Sequence, residues 1–548
     1  MTAPEKLGLD IHRIIGTALS DEQLTALLEL KPLSLQSLNR FFQVATRVQL
    51  KKGQAAHILQ LLDGARAKPT PSPSVASPHR VIDPDLAGLA TSTGKEVAMA
   101  LREILHEVHF DQVNRDLRLP RFGGDYEIRP FPLPASAVDT HEMKVRLRNA
   151  VKSSRGSVDE GLSRRIQQAF SFFMFGQPLT AHALEELFGE ARRAAIEKGF
   201  ALGLFVRTDG QAARMNELSL FSRTLRNGDV VHVFADTPPH FETRAATQRV
   251  YAGADSYELM ERVSTLDPVS GYCVEMGSGS GIQLIALLKQ HPAITKAIGM
   301  ECDRRAMHVS LFNAALNGVD DTLVIVNDHE GVRRALDQHP ISFAMSNPPF
   351  LAVPTWIDIE MEDRPALSGL MDVRETEHGC QGDLRTLFPR AGWGGADGLA
   401  VTRTFVDALF PMLAAGSQMV IYSQFAGDAE GPRVFEDCVR RRGGFQFAFE
   451  RVKSRTLVMK QPGTDRIAEG QSQSVFSAAE TAHSVARLII AAQMAKHEPG
   501  RLRVSVRTGG PEHVLLMKYA RSIEESYRRL GISHFHDGFV VLTRDPMR

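Results

Sequence analysis

The run Glu275-Met276-Gly277-Ser278-Gly279-Ser280-Gly281 sets three glycines at alternate positions behind a carboxylate. Glycine has no Cβ, so such a run can turn tightly and let the backbone come close to a ligand. The rival spacing, G-x-G-x-x-G, cradles a dinucleotide pyrophosphate. Here the spacing is G-x-G-x-G, and the Glu275 carboxylate would repel a pyrophosphate and attract an ammonium group. Glu301, in Gly299-Met300-Glu301-Cys302-Asp303, offers two acceptor oxygens that suit the vicinal diol of a ribose. An NAD enzyme uses an acid there too, so Glu301 signals a nucleoside without naming it. A third acid, Asp328, comes directly after Val326-Asn327. Further on, Asn347-Pro348-Pro349-Phe350 holds the backbone in restricted geometry, which is useful for aiming a carbonyl at a ligand. Phe350 can stack on a planar target or fill a core.

Taken singly, each of these is an ordinary turn or loop residue, and their weight comes from where the elements put them. From about Arg249 short apolar runs alternate with amphipathic ones. Strands are expected at 272–276, 297–301, 322–326 and 341–346, and helices at 281–290, 304–316 and 331–338. That alternation implies βαβ units and a parallel sheet with helices on both faces. Ligands in such sheets bind outside the carboxyl ends of the strands. All four candidate groups fall there.

In that setting Glu275 to Gly281 resembles motif I of class I S-adenosylmethionine (SAM)-dependent methyltransferases. The resemblance implies an α/β fold, a Rossmann-like methyltransferase core on a mostly parallel seven-stranded sheet, with SAM as cofactor. It implies a cofactor site of Glu275, Gly277, Ser278, Gly279, Gly281, Glu301, Asp328 and Asn347. Glu275 would face the methionine ammonium, Glu301 the ribose, and Asp328 the adenine amino group. Asn347-Pro348-Pro349-Phe350 resembles the (N/D)PP(F/Y) signature of methyltransferases that act on amide or exocyclic amine nitrogen, which makes these four the expected catalytic residues. Such a nitrogen has its lone pair delocalised and is a poor nucleophile. The Asn347 side-chain oxygen and the Pro348 main-chain oxygen can each accept one N–H, fixing the nitrogen and directing its lone pair at the methyl group. No strong general base is needed, because the donor is already a sulfonium.

Gly394-Gly395-Ala396-Asp397-Gly398-Leu399 is similar to the GG-x-DGL segment of the HemK/PrmC group, which methylates a glutamine amide in release factors. RNA-modifying "methyltransferase small domain" enzymes share that core. The resemblance spans roughly Tyr251 to Gln424, and in the family the segment matching Tyr251–Ser256 packs over the cofactor. This chain departs from the group in three ways. Some 250 residues precede the core, more than 100 come after it, and an enlarged loop separates Phe350 from Gly394. A loop that long at the fourth strand's mouth is expected to cover the substrate. Near the C-terminus, strands are expected at 502–506 and 539–542, the second supplying a last strand of the sheet, with a helix at 512–530 between them.

The remaining sequence divides into a helical module (1–64), a Pro-rich linker (65–80), an accessory or substrate-recognition domain (81–248), the core (249–445) and an extension that completes the core sheet (446–548). The N-terminal helices either close on one another as a small bundle or serve as a docking or homodimerisation module. The accessory region is expected to hold helices at 94–108 and 181–198, a strand at 230–235, and a basic run from Lys144 to Arg165. Lys plus Arg and Asp plus Glu number 64 each, so the net charge is zero and nothing global favours a polyanion partner. The cysteines, Cys273, Cys302, Cys380 and Cys438, are scattered without metal-ligand spacing, so no metal is expected. No apolar run approaches a membrane span, and the expected compartment is the cytoplasm. The expected activity is methyl transfer from SAM to an amide or amine nitrogen of a protein glutamine, an RNA base or a small metabolite. A natural-product tailoring enzyme is the alternative. A non-catalytic SAM-fold scaffold fits the intact motifs less well, and an NAD(P) oxidoreductase has the wrong glycine spacing.

Overall fold

The computed structural model describes residues 85–116, 147–152, 159–208, 212–236, 249–359, 373–376, 379–384, 392–452, 456–460, 467–471, 474–497 and 511–546, together with Ile58. The chain divides into two units, Met1–Val81 and Ile82–Arg548. The N-terminal helices, the proline-rich linker and the strand expected at 502–506 lie outside the described residues, which apart from Ile58 all belong to the second unit. Among the described residues no helix is long and apolar enough to cross a membrane.

The accessory region begins with α1 (Ser92–Glu107), whose N-cap Thr91 accepts from the Gly94 amide at 3.3 Å. It continues with α2 (Phe110–Asp116), α3 (Glu160–Ala169), α4 (Ala181–Phe188) and α5 (Arg193–Ala201). Two hairpins come next, β1 (Phe205–Arg207) with β2 (Ala213–Met215) and β3 (Leu218–Thr224) with β4 (Val230–Asp236). The single helix expected at 181–198 is two helices. Gly189, at φ 74°, ends the first, because a positive φ takes the chain out of the helical region. Two basic residues of the expected patch are already paired: Arg164 with Glu186 at 3.1 Å and Arg165 with Glu107 at 2.8 Å.

The core opens with α6 (Ala254–Val263) and runs through β5 (Gly271–Met276), α7 (Ile282–Gln290), β6 (Ile294–Met300), α8 (Arg304–Asn317), β7 (Leu323–Val326), α9 (His329–Leu336) and β8 (Ile341–Ser346). Next come β9 (Trp356–Ile359), β10 (Val373–Thr376) and β11 (Gly379–Asp383), then α10 (Ala400–Leu409), β12 (Leu413–Gly427), α11 (Arg433–Arg442) and β13 (Phe445–Arg451). The chain ends with the hairpin β14 (Thr456–Lys460) and β15 (Ile467–Gln471), then β16 (Val475–Ser477), α12 (Ala478–His497), α13 (Pro511–Arg529) and β17 (His534–Arg544). Residues expected to form one enlarged loop after Phe350 instead include a three-stranded antiparallel sheet, β10-β11-β9.

The central sheet has eight strands. Its path is β7-β6-β5-β8-β12-β17-β13, with β16 added on β17. The β5–β6, β6–β7, β5–β8 and β8–β12 pairs are parallel, and β17 runs antiparallel between β12 and β13. The fold is therefore α/β and Rossmann-like, and the apolar run Phe539–Leu542 lies in this sheet. Period-two alternation feeds two cores. Cys273 and Val274, neighbours in β5, belong to different buried clusters, one shared with α1 and α8 and the other with α12 and α13. The chain steps outward from β5 to β6 and β7, then returns to place β8 on the other side of β5. In open α/β sheets such a reversal, here between β5 and β8, is the place where a ligand crevice forms.

Asparagines fix the accessory hairpin to this core. The Asn313 side chain accepts from the Phe234 amide at 2.8 Å and donates to the Phe234 carbonyl at 2.9 Å. Asn317 does the same for His232 at 3.0 and 2.6 Å. The two are one helical turn apart on α8, so they match alternate residues of β4 and satisfy its outer edge. Asn313 also donates to the Ser280 carbonyl at 2.8 Å, which ties the hairpin to the glycine turn.

Candidate active site

The glycine run leaves β5 at the crevice. Gly277, Gly279 and Gly281 have φ of 70°, 53° and 78°, a region costly for any residue with a Cβ. At Gly281, the N-cap of α7, a Cβ would also lie 2.4 Å from Ser310 Oγ. At Gly277 the space is open, and the first atom a Cβ would approach is the Asn347 carbonyl oxygen, 4.0 Å away. The end of β8 thus lies beside the glycine turn, within reach of one added methyl group. Ser278 is buried behind the turn, against Gly299.

The three acids differ in state. Glu275 is fully buried, and neither carboxylate oxygen has a hydrogen-bond partner of normal geometry among the described residues. Burial pushes its carboxyl well above the ordinary range, the charge of Glu301 adds to that, and the Leu284 amide in the first turn of α7 opposes it. Glu301 lies just past β6. Its two oxygens accept from the Gly279 and Asp303 amides, at 2.9 Å each, and so lash the glycine turn to the end of the second strand. Burial raises its pKa, and those two amides pull the other way. Asp328 is exposed and caps α9, accepting from the Gly331 amide at 2.6 Å. The helix therefore starts at His329 rather than at the expected residue 331. A cleft beside it is lined by Met307, Val326, Asn327 and Arg334, so the adjacent Asn327 lines the cleft and Asp328 does not.

Asn347 comes directly after β8. Its Nδ2 donates to Asp255 Oδ2 at 2.9 Å, and its Oδ1 is buried without a partner among the described residues. Asp255 also accepts from the Tyr251 hydroxyl at 2.8 Å. Burial moves the Asp255 carboxyl above the usual aspartate range, against the pull of the Asn347 and Tyr251 hydrogen bonds. Pro348 is buried, and Phe350 meets Tyr422 edge-on with centroids 6.0 Å apart.

The glycine-rich segment at 394–399 has a task the sequence did not disclose. Leu351 donates to the Gly392 carbonyl at 2.8 Å, Gly394 to the Leu351 carbonyl at 2.9 Å, and Val353 to the Gly395 carbonyl at 2.9 Å. A Cβ on Gly394 would lie 2.8 Å from both the Pro349 oxygen and Phe350 Cα, and one on Gly398 would lie 2.5 Å from the Phe350 oxygen. The segment is a backbone clamp on the Asn-Pro-Pro-Phe turn, and only glycine fits that close. From α13, the buried Tyr527 hydroxyl donates to the Ala352 carbonyl and holds the next step of the same turn.

Sequence reasoning missed Glu258, Gln424 and Asp537 at this end of the sheet. Asp537 stands opposite Gln424 where β17 pairs with β12. Burial pushes its carboxyl up to about 7, and the charges of Asp255 and Glu258 act in the same direction. The one available signal was Asp255 itself, inside a segment already expected to wall the pocket. Asp537 and Gln424 become neighbours of the site only through strand pairing.

No family model and no curated protein matches this sequence. Solved structures similar to the chain include a precorrin-6Y C5,15-methyltransferase targeted domain from Corynebacterium diphtheriae, at 16% identity and TM-score 0.23 over 39% of this chain and 91% of that one. The O-methyltransferase TomG from Streptomyces achromogenes, involved in tomaymycin synthesis and solved with SAM, is 10% identical with TM-score 0.25 over 57% of this chain and 92% of that one. A ribosomal protein L11 methylase from Lactobacillus delbrueckii subsp. bulgaricus is 13% identical with TM-score 0.23 over 41% of this chain and 81% of that one. Likeness of this order is faint, and the chemistry of the site stands on its own geometry.

Proposed function

We propose that this protein is a SAM-dependent methyltransferase that transfers the methyl group to a planar amide or amine nitrogen. One observation carries the reading. Among the described residues the Asn347 side-chain oxygen is a buried acceptor without a partner, on the turn after β8 whose main chain lies beside the left-handed glycine turn. A buried acceptor left unmatched is costly unless a ligand completes it.

The residues suit the cofactor. Among the described residues neither buried Glu275 oxygen has a hydrogen-bond partner of normal geometry, and an ammonium group would supply one. Each Glu301 oxygen accepts one amide and keeps a second acceptor site for a ribose hydroxyl. When bound, SAM would supply an electrophilic methyl group with a neutral thioether as leaving group, so the residues here would have only to hold the target nitrogen in line. Asn347 and Pro348 would hold the two N–H bonds of the target, and Phe350 would present a ring to its plane. The clamp of Gly394 and Gly398 holds this turn from the side of Leu351 and Val353.

Calorimetric titration of the purified protein with SAM and with NAD tests the cofactor. Binding of SAM and not NAD is expected, and the reverse would end the proposal.

A further inference from the structure

We propose that Asp255, steadied by Tyr251, is a positioning residue that decides which end of the Asn347 amide meets the target nitrogen. The inference rests on the methyl-transfer reading and adds the device that makes the turn directional.

An amide side chain has nearly the same shape either way round, yet one end accepts and the other donates. For a target held through its N–H bonds only the oxygen end is useful. An NH2 facing the target would repel it. Shape does not settle the choice, so a partner must. In its ionised form, which the donors around it favour against burial, Asp255 accepts only and so binds the Nδ2 end alone. Asp255 does this at 2.9 Å, which leaves Oδ1 on the other side, buried and unmatched. Turning the amide over would set the Asn347 oxygen against a carboxylate oxygen.

Asp255 is itself held. Tyr251 donates to its second oxygen at 2.8 Å, and the Ser256 amide favours its charged form. The chain makes room for this contact. A Cβ on Gly253 would fall 1.8 Å from the Tyr251 hydroxyl, so any larger residue there would push the tyrosine off the aspartate. Among the described residues the titratable groups recorded against Asp255 are Tyr251 from its own segment and Asp537 from β17, on which Glu258 also acts. None of them is a cation that could take the amide's place. Both Asp255 oxygens already carry a donor, one the tyrosine and the other Asn347 itself, so the aspartate reaches the target through Asn347 and does not act as its base.

A charge exchange between the two positions tests this. In Asp255→Asn, Tyr251 still donates to the side-chain oxygen at 255, so the new NH2 faces Asn347 and turns its oxygen away from the target. In Asn347→Asp, two carboxylates confront each other. In the double variant Asp255→Asn with Asn347→Asp, the amide at 255 donates to one oxygen at 347 and the other oxygen faces the target again. Transfer of label from radiolabelled SAM at saturation should fall about 100-fold in each single variant. In the double variant it should return to within about tenfold of wild type. SAM affinity is read in parallel by calorimetry, so that loss of transfer is separated from any loss of cofactor binding at Asn347 or Asp255. Full activity in Asp255→Asn, or a double variant no better than the weaker single one, overturns the proposal. If wild type itself transfers no label, the methyl-transfer reading fails, and the positioning role is then read from the side-chain amide signal of Asn347 in 15N-asparagine-labelled protein. That signal, identified by its loss in Asn347→Asp, should move in Asp255→Asn. A signal that stays in place overturns the positioning role independently of catalysis.

Discussion

Replacing Glu301 by Gln keeps the shape of the side chain and removes one acceptor and the charge. In the native arrangement each Glu301 oxygen takes one backbone N–H at 2.9 Å, from Gly279 on one side and Asp303 on the other. In the glutamine variant an NH2 must face one of these amides, donor against donor, and that side has nothing to offer a ribose hydroxyl. A hydrogen bond to a charged group contributes about 1.5–3 kcal/mol. Losing one from the ribose should therefore weaken SAM roughly 10- to 150-fold. Losing the other from the turn acts on stability, but removal of a buried charge and of its repulsion toward Glu275 offsets part of it, so the net destabilisation should be about 1 kcal/mol. Calorimetry gives the affinity and urea unfolding gives the stability. Unchanged SAM affinity, with the protein folded, would refute the assignment of Glu301 to the cofactor.

Three further outcomes are expected. Burial raises the Glu275 carboxyl well above its ordinary range, and an ammonium group beside it would pull it back down. SAM binding should therefore release a proton and strengthen as pH rises, and titrations in buffers of different ionisation enthalpy should show the release in wild type and its absence in Glu275→Gln. Asp537 titrates at about 7 in the folded protein against about 3.9 unfolded, so between these values the native state holds a proton that the unfolded chain has lost. Stability should fall as pH rises through that window, and Asp537→Asn should flatten the slope; an identical slope in the variant would contradict the origin assigned to it. Gly394→Ala, which would set a Cβ 2.7 Å from the Gly398 oxygen and 2.8 Å from the Pro349 oxygen, should displace the Asn-Pro-Pro-Phe turn. Methyl transfer should then drop about 100-fold with SAM affinity nearly intact, and equal losses in both would show that the clamp serves the cofactor instead.

Much of this site was legible because the fold puts ligand residues at strand ends and the chain marks strand ends with glycine, proline and acids. The strands beginning at Tyr272, Thr322 and Ile341 were read within about a residue. Alternation fixed their type, and the glycine run and the Asn-Pro-Pro-Phe turn marked the points where two of them end. The features that stayed hidden are long-range. Asp255 and Asn347 are 92 positions apart, and nothing local says that one orients the other. The placing of β17 between β12 and β13 is a choice among apolar strands with similar faces, decided by packing. Asp328 shows a different difficulty, since nothing in the sequence reading disclosed that one of its oxygens caps the helix that follows. The break at Gly189 was visible in principle as a glycine between two apolar stripes, but a continuous helical period across it outweighed one residue.

The most direct test of methyl transfer is the fate of label from radiolabelled SAM added with the protein to cell extract, which is then fractionated into protein, RNA and small molecules. Asn347→Ala serves as the matched control, because it removes the unmatched acceptor and leaves Glu275 and Glu301 in place. Label should enter one fraction with wild type and fall about 100-fold or more with the variant. Equal labelling by the two proteins, or SAM binding with no label in any fraction, would contradict a transferase whose chemistry runs through Asn347.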